Sequence, residues 1–378
     1  MKQSSQSALP APLIFSGGEP VRSPREWREK RRGEIRELFR THIYGHSPAA
    51  GTYLQTFKVL SETPRALGGT ATRRQIAMTF EGPGGARTIG LLMFVPERVT
   101  RPAPVFLLLD NRMESGLYRD RDAGSGFWPA EEIVKRGYAA AALSLPDVSP
   151  DRDGALQEGT QGIFPASLRT DDSWGAIATW AWAGSRALDY LETDPDVDAA
   201  RAAVVGHSRG GKTALWCGAE DERFALVVSN NSGSTGAALA RTTRGEKIAD
   251  INQSFPYWFC ENYKRYSGRE NDLPVDQHEL LALMAPRLVY VSSATDDAWA
   301  DPDSEFAACV AAEPVFALLG RSGVGASEIP PPETPLHSGS IGYHLRTGRH
   351  DLTPYDWKCF MDFADRHYPL AAMSTLAG

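Results

Sequence analysis

The 378-residue sequence has few cysteines and no metal-binding spacing of cysteine or histidine. The absence of any CxxC or CxxH pair excludes a zinc set, and the absence of HxH or HExxH disfavours a metal hydrolase. We therefore expect neither a metal nor a cofactor. The cysteines are too few to scaffold the fold, and one or two disulfides or four buried thiols fit equally well: Cys217, Cys260, Cys309 and Cys359.

Basic residues are fewer than acidic ones, and long apolar runs are absent. The 40 basic and 47 acidic residues give a net charge of −7, which argues against nucleic acid or an anionic membrane as a partner. No apolar run approaches the length of a membrane span, and the polar start lacks the apolar core of a signal peptide. A polar start of this kind is also typical of a mature N-terminus from which a signal peptide has been removed. We expect a globular monomer.

What the sequence does contain is a series of short apolar segments that alternate with amphipathic ones. "PVFLLLD" (Pro104–Asp110) is typical of a buried strand, and similar segments recur along the chain, separated by helical patterns. This alternation predicts an α/β fold with a mostly parallel central sheet covered on both faces. Before it, Ala71–Phe80 and Arg87–Val95 flank "EGPGGA", which predicts an antiparallel hairpin at the N-terminal edge. A capping box at Ser23 opens a charged helix that extends to about Thr41.

The predicted organisation is one domain over residues 1–378. Residues 20–100 hold the N-terminal helix and hairpin, and residues 101–370 form the core of the domain. A polar and aromatic insertion at about 242–278 is expected to overhang the carboxyl edge of the sheet, because open α/β sheets bind their ligands there.

The stretch "VVGHSRGGKTALWCGA" (Val204–Ala219) places Ser208 between Gly206 and Gly210. A strand pattern precedes this serine and a helix pattern follows it, as in the nucleophile elbow G-x-S-x-G of α/β-hydrolases. Glycines are needed around the serine because only they let the backbone turn so tightly. The sequence therefore predicts an α/β-hydrolase three-layer sandwich with Ser208 as its nucleophile.

A serine hydroxyl needs a base, and in this fold the partners follow in the order serine, acid, histidine. Four histidines lie downstream of Ser208. His344 lies in a strand pattern where a packed histidine is usual, His337 in a proline-rich loop typical of a solvated group, and His278 at the start of a helix. His350, in "RTGRHDLTPYDW", lies between the last predicted strand and the last predicted helix. In α/β-hydrolases the catalytic histidine lies in this loop. His350 is therefore the predicted general base.

The acid is expected in "SSATDDAWADPDSEF", directly after another strand, where an aspartate would hold the imidazole in its productive tautomer. The segment offers Asp296, Asp297, Asp301 and Asp303. Asp303 is predicted to cap the following helix, and Asp301 precedes Pro302 in a turn. Asp297 is the first choice for the acid, and Asp301 is the second.

The chain also contains, in one order, the stretches "GHSRGGKTALW", "SNNSGSTGAALAR", "FPYWFCENYKRY", "LPVDQHELLALMAPR" and "DDAWADPDSEF". Together they resemble bacterial glucuronoyl esterases, carbohydrate esterase family 15, over roughly Pro104 to His367. The most specific element is the elbow extended as G-x-S-R-x-G-K-x-A. The resemblance implies a secreted or periplasmic serine esterase with a carbohydrate partner. Its substrates would be esters of the (4-O-methyl-)glucuronic acid side chains of xylan, including those joined to lignin alcohols.

The resemblance also implies roles for particular residues. Arg209 follows the nucleophile and would place its backbone N–H and its side chain at the developing oxyanion. Lys212, one helical turn further on, and Glu246, in the insertion, would contact sugar hydroxyls. Trp299 matches a family tryptophan that lies against the substrate, and Trp258 is a second candidate platform of a type more often found in the core.

The sequence departs from the family at three points. Asn231 stands where fungal members carry the catalytic glutamate, so the acid must come from elsewhere, and the Asp297 loop supplies it. His207 replaces a cysteine whose disulfide ties the elbow to the histidine loop in fungal members, and we expect His207 to be a packed spacer. The loop "DNRMESGLYRDRDAG" lacks the Gly-Gly and His common in relatives, which leaves substrate preference at that rim open.

Two other functions fit the same residues. An acetyl or other short-acyl carbohydrate esterase would use the same triad, with the sugar as leaving group instead of acyl donor. A non-catalytic hydrolase-fold module for binding carbohydrate would lack one triad member, whereas this chain keeps a candidate for each: Ser208, His350 and Asp297.

Overall fold

The structure, a computed structural model, describes residues 9–97, 102–112, 125–242 and 244–368. The strands are β1 (Leu54–Arg65), β2 (Ala71–Gly82), β3 (Gly85–Pro96), β4 (Ala103–Asp110), β5 (Ala139–Ser144), β6 (Val197–His207), β7 (Leu226–Asn230), β8 (Leu288–Ala294) and β9 (Ile341–Arg346). The α-helices are α1 (Pro24–Glu26), α2 (Arg32–Phe39), α3 (Ala66–Gly69), α4 (Ala130–Lys135), α5 (Leu145–Val148), α6 (Ala176–Leu191), α7 (Arg209–Glu220), α8 (Ile248–Ser254), α9 (Gln277–Ala282), α10 (Pro302–Leu318) and α11 (Pro354–His367). Two π-helical turns, Trp27–Arg31 and Arg40–Tyr44, extend the N-terminal helix.

Within these ranges the strands form one sheet in the order β1-β2-β3-β5-β4-β6-β7-β8-β9. β1, β2, β3 and β5 pair antiparallel in that order, whereas every pair from β5–β4 to β8–β9 is parallel. Strands β4, β5 and β7 are buried along their whole length, as is typical of parallel strands covered on both faces. The predicted fold class, with its antiparallel N-terminal edge, is confirmed.

Two helical layers cover the sheet. Alternate residues of β4 belong to different layers: Leu107 packs in the cluster that contains Trp180 of α6, and Phe106 packs in the cluster that contains Trp357 of α11. Helix α7 lies in the first layer with α6, and α4 lies in the second with α11. The alternation follows from the two-residue period of a strand, and it produces the three-layer sandwich.

Strand β1 is an element that the sequence patterns did not predict. It lies at the edge of the sheet, where Leu54, Val59 and Leu60 are 69%, 47% and 42% exposed. Because these three apolar residues face solvent, the segment lacks the alternation that marks a half-buried strand.

The parallel strands β6 to β9 all end at the same edge of the sheet. The loops that follow them carry Ser208, Asn231, Asp297 and His350. Residues of the 242–278 insertion contact this edge, since the Glu246 carboxylate accepts a hydrogen bond from Lys212 of α7. The topology thus brings together four loops that are far apart in the chain.

The described part of the chain also shows its helix lengths, its possible metal ligands and the state of its cysteines. None of its helices is long and apolar enough to cross a lipid bilayer. No group of three or more histidine, cysteine, aspartate or glutamate side chains in these ranges could hold a metal ion. The structure favours buried thiols over disulfides, since all four cysteines are buried and free: Cys217, Cys260, Cys309 and Cys359.

Candidate active site

The turn between β6 and α7 has the geometry of a nucleophile elbow. Ser208 has φ 58° and ψ −124°, a conformation rare for a residue with a side chain. A Cβ on Gly206 would lie 1.9 Å from the Gly210 carbonyl oxygen, and one on Gly210 would lie 2.8 Å from that of Leu109. The Ser208 N–H donates to the Asn230 carbonyl at 2.9 Å, which anchors the turn to the neighbouring strand. Both glycines are therefore required sterically.

His350 and Asp297 lie in contact beyond the ends of β9 and β8. The Nδ1 of His350 lies 2.5 Å from Oδ2 of Asp297, and the Asn231 side-chain amide donates to the same oxygen at 2.8 Å. Burial raises the pKa of Asp297, but the hydrogen bonds from His350 and Asn231 outweigh it, so this pKa is lowered. An ionised Asp297 keeps the proton on Nδ1 of His350 and leaves the lone pair on Nε2.

His207, the residue before the candidate nucleophile, packs against His350. The two ring centroids are 4.5 Å apart, and Nδ1 of His207 lies 2.6 Å from Oδ1 of Asn230. Burial lowers the pKa of His207 to about 3, so its ring is neutral at neutral pH. A buried, neutral, hydrogen-bonded ring agrees with the expected packed spacer. Within the described residues, no hydrogen bond joins the Ser208 hydroxyl to His350, and such bonds are often loose without substrate.

The other downstream histidines lie elsewhere. His344 is fully buried between Tyr290 and Asp356, as its strand position indicated. His278 hydrogen-bonds the Pro10 carbonyl. The prediction that His337 is solvated is wrong: its Nε2 lies 2.8 Å from the Tyr290 hydroxyl, which projects from the neighbouring strand.

The remaining aspartates of the acid loop have structural partners. Asp301, not Asp303, caps α10, because the N-cap position precedes Pro302 at the start of the helix. The Asp301 carboxylate also accepts a 2.6 Å hydrogen bond from Thr242, and Asp303 is paired with Arg244 at the surface. Of the four candidates, Asp297 is the one whose carboxylate contacts His350 in the described structure.

The Arg209 side chain contacts one carboxylate and two aromatic rings. Its guanidinium is paired with Asp151 and lies over the rings of Trp258 (5.2 Å) and Phe255 (5.7 Å). The other Asp151 oxygen accepts hydrogen bonds from the Trp258 indole at 2.9 Å and the Tyr257 hydroxyl at 2.8 Å. Trp258 is only 3% exposed and stacks on Phe255, so it offers a sugar no open ring face. We correct its role to support of Asp151.

Lys212, one turn along α7 from Arg209, forms a buried ion pair with Glu246. Lys212 donates to Glu246 at 2.8 Å and to the Ser234 carbonyl, and the side chains of the ion pair are 3% and 10% exposed. An ammonium has three donors, so one remains for a sugar hydroxyl. The Glu246 N–H donates to the Trp299 carbonyl at 2.9 Å, and Trp299 is 57% exposed, two residues beyond Asp297. The candidate sugar residues therefore border the acid loop.

Asp151 is a site residue that the sequence analysis missed. It follows the short helix after β5, at the carboxyl edge, and that position is the sequence signal that could have suggested it. The unusual loop after β4, which departs from the family, lies largely outside the described residues.

Comparisons with known proteins agree on one family. The family model described as fungal glucuronyl esterase matches residues 130–320. Carbohydrate esterase MZ0003, from an unknown prokaryotic organism, is 39% identical over 95% of this chain and 89% of its own length. The 4-O-methyl-glucuronoyl methylesterase of Schizophyllum commune is 28% identical over 84% of this chain and 75% of its own. A solved glucuronoyl esterase from Solibacter usitatus superposes with a TM-score of 0.88, at 38% identity, over 96% of this chain and 98% of that one.

The predicted resemblance is thus confirmed over nearly the whole chain. Similarity of this extent in both sequence and structure goes beyond a shared fold. The chain belongs to the glucuronoyl esterase family, carbohydrate esterase family 15, and is a carboxylic ester hydrolase.

Proposed function

We propose that this enzyme hydrolyses the ester of (4-O-methyl-)glucuronic acid side chains of xylan, including esters to lignin alcohols, through Ser208, His350 and Asp297. The observation that carries the catalytic part is the buried Asp297 carboxylate against Nδ1 of His350, beside a strained serine turn. The name 4-O-methyl-glucuronoyl methylesterase borne by the relative from Schizophyllum commune supports the acyl group.

The reaction is a two-step acyl transfer. Nε2 of His350 takes the Ser208 proton as the hydroxyl oxygen attacks the ester carbonyl, and the imidazolium is stabilised by Asp297. His350 then protonates the leaving alcohol, and water releases the glucuronic acid by the same steps in reverse. Arg209 supplies positive charge and a backbone N–H at the developing oxyanion. These steps need no cofactor and no metal.

The sugar is proposed to lie on the acyl side of the site. Lys212 and Glu246 offer a donor and an acceptor for its hydroxyls, and both are already oriented by their mutual ion pair. The exposed Trp299 ring provides an apolar face. A polymer substrate of this kind suits a secreted or periplasmic enzyme, and that location and a monomeric state stay predictions.

The test compares a benzyl glucuronate ester with acetylated xylose, using the wild type and Ser208→Ala. Turnover of the glucuronate ester that is lost in Ser208→Ala, together with Ser208-dependent labelling by a fluorophosphonate, is expected. Faster turnover of acetylated xylose would instead make the protein a short-acyl carbohydrate esterase. Absence of both turnover and labelling in the folded wild type would make it a non-catalytic module.

A further inference from the structure

A buried arginine holds the loop that carries His350. Arg346 ends β9 and is 4% exposed. Its Nη2 donates to the carbonyl oxygens of Arg349 at 2.7 Å and Asp351 at 2.6 Å, the residues on either side of His350. Gly348 has φ 121°, and a Cβ there would lie 3.1 Å from Arg346 Nη1. The loop from Thr347 to Asp351 therefore curves around the Arg346 guanidinium.

Arg346 is itself fixed by a buried carboxylate. Its Nε donates to Oδ2 of Asp356 at 3.0 Å, and Asp356 is fully buried. The same oxygen accepts hydrogen bonds from the N–H and the hydroxyl of Thr353, both 2.7 Å, at the start of α11. Burial raises the pKa of Asp356, but the contacts with His344 and Arg346 lower it by more, so the net shift is downward. The carboxylate is therefore ionised, and the Arg346 guanidinium compensates its charge.

The same carboxylate also reaches the serine turn. Oδ1 of Asp356 lies 3.4 Å from the side-chain amide nitrogen of Asn230, which donates to it. The Asn230 carbonyl accepts the Ser208 N–H, and its Oδ1 accepts from His207 at 2.6 Å. One buried network thus contacts the backbone on both sides of His350 and the backbone of Ser208.

We propose that Arg346 and Asp356 are positioning residues that set the reach of the His350 imidazole toward the Ser208 hydroxyl. The inference rests on the proposed function, since it concerns the same proton transfer. Both side chains are buried and act through backbone and through Asn230, without contact with the reacting atoms. Proton transfer requires hydrogen-bond distance, and a displacement of about 1 Å can cost about 10²-fold in rate.

Arg287 offers a matched control. Its guanidinium also donates to backbone carbonyls, and the shortest of these hydrogen bonds reach Gly218 at 2.7 Å and Phe224 at 2.9 Å. It lies before β8, at the end of the sheet opposite Asp297. Loss of Arg287 therefore removes a similar structural clamp without touching either catalytic loop.

The experiment measures kcat, KM and urea unfolding for Arg346→Ala, Arg346→Lys and Arg287→Ala on the benzyl glucuronate ester. We expect Arg346→Ala to lower kcat by about 10²-fold with little change in KM, because substrate contacts are intact. Added guanidinium ion, well below its unfolding concentration, is expected to restore part of that kcat. Arg287→Ala is expected to lose stability but to keep the wild-type kcat and to show no rescue.

If Arg346→Ala does not fold, Arg346→Lys tests the positioning role instead. A lysine keeps the charge beside Asp356, but it lacks the planar guanidinium that reaches Asp356 through Nε while Nη2 donates to the two loop carbonyls. A lower kcat at unchanged KM is therefore expected. Folded variants of Arg346 with wild-type kcat would overturn the positioning role, and so would a kcat loss equal to that of Arg287→Ala. Ser208→Ala is assayed alongside: its inactivity keeps the proposed function intact in that event, whereas its activity would overturn the proposed function itself.

Discussion

The Arg209 guanidinium forms an ion pair with the carboxylate of Asp151, which lies 58 residues earlier in the chain. Asp151 in turn is oriented by Tyr257 and the Trp258 indole. An arginine that stabilises an oxyanion is effective only if it is oriented before the charge develops. Asp151 therefore links the insertion to Arg209, the residue proposed to stabilise the oxyanion.

We expect Asp151→Asn to reduce kcat by up to about 10²-fold, because Arg209 loses its charged partner and shifts. The measurement is kcat and KM on the glucuronate ester. Asp153→Asn is the control, since it removes the same charge from an exposed position in the same loop. Equal kcat values for the two variants would contradict the role given to Asp151.

The choice between the two candidate acids can be tested directly. Asp297→Asn is expected to lower kcat by about 10⁴-fold, because the amide favours the wrong imidazole tautomer and cannot stabilise the imidazolium. Asp301→Asn is expected to keep kcat close to the wild-type value and to lose at most about 1 kcal/mol of stability, since it caps α10. An active Asp297→Asn beside an inactive Asp301→Asn would reverse the assignment.

The buried Lys212–Glu246 ion pair predicts that the effects of substituting its two residues on the free energy of unfolding are coupled. Lys212→Ala is expected to cost about 3–5 kcal/mol in urea unfolding, because it leaves a buried carboxylate unpaired. The double variant Lys212→Ala/Glu246→Gln is expected to be more stable than that single variant. Arg244→Ala is the control: its ion pair with Asp303 is exposed on both sides, so its effect is expected within about 0.5 kcal/mol. Additive effects of the two buried substitutions would show that the pair is not coupled.

The buried His207 predicts a stability that falls in acid. Its pKa is lowered to about 3 in the folded protein, against an ordinary value near 6.5 for the unfolded chain. The unfolded state therefore binds the proton more readily, and the contribution of His207 is complete above about pH 6.5 and is lost as the pH falls toward 3. We expect His207→Gln to reduce the slope of unfolding free energy between pH 6 and pH 4 by about 1.4 kcal/mol per pH unit. An unchanged slope would mean that the ring is not kept neutral.

Several features were predictable because they depend on local sequence. The elbow around Ser208 needs glycines within two residues of the serine, so its pattern survives in the sequence. The buried parallel strands are equally visible, since both faces must be apolar. The exposed edge strand β1 has no such requirement, and the patterns missed it.

Errors arose where a side chain depends on a distant partner. The solvated environment expected for His337 was wrong because Tyr290, on a strand 47 residues earlier, supplies a hydrogen bond. Asp151 was missed because its partners Arg209 and Tyr257 lie in other segments. Asp301 and Asp303 were exchanged as helix caps, since either spacing fits the sequence and only the backbone conformation at Asp301 decides.

The sequence by itself determined the fold class, the strained serine turn and the family, because strand burial, steric limits at glycine and extended motifs are all recorded in neighbouring residues. Only the tertiary structure decided which aspartate meets His350, that Lys212 and Glu246 are paired, and that Arg346 and Asp356 brace the histidine loop. These relationships join loops that meet only at the carboxyl edge of the sheet, where hydrogen-bond distances depend on the packing of the whole domain.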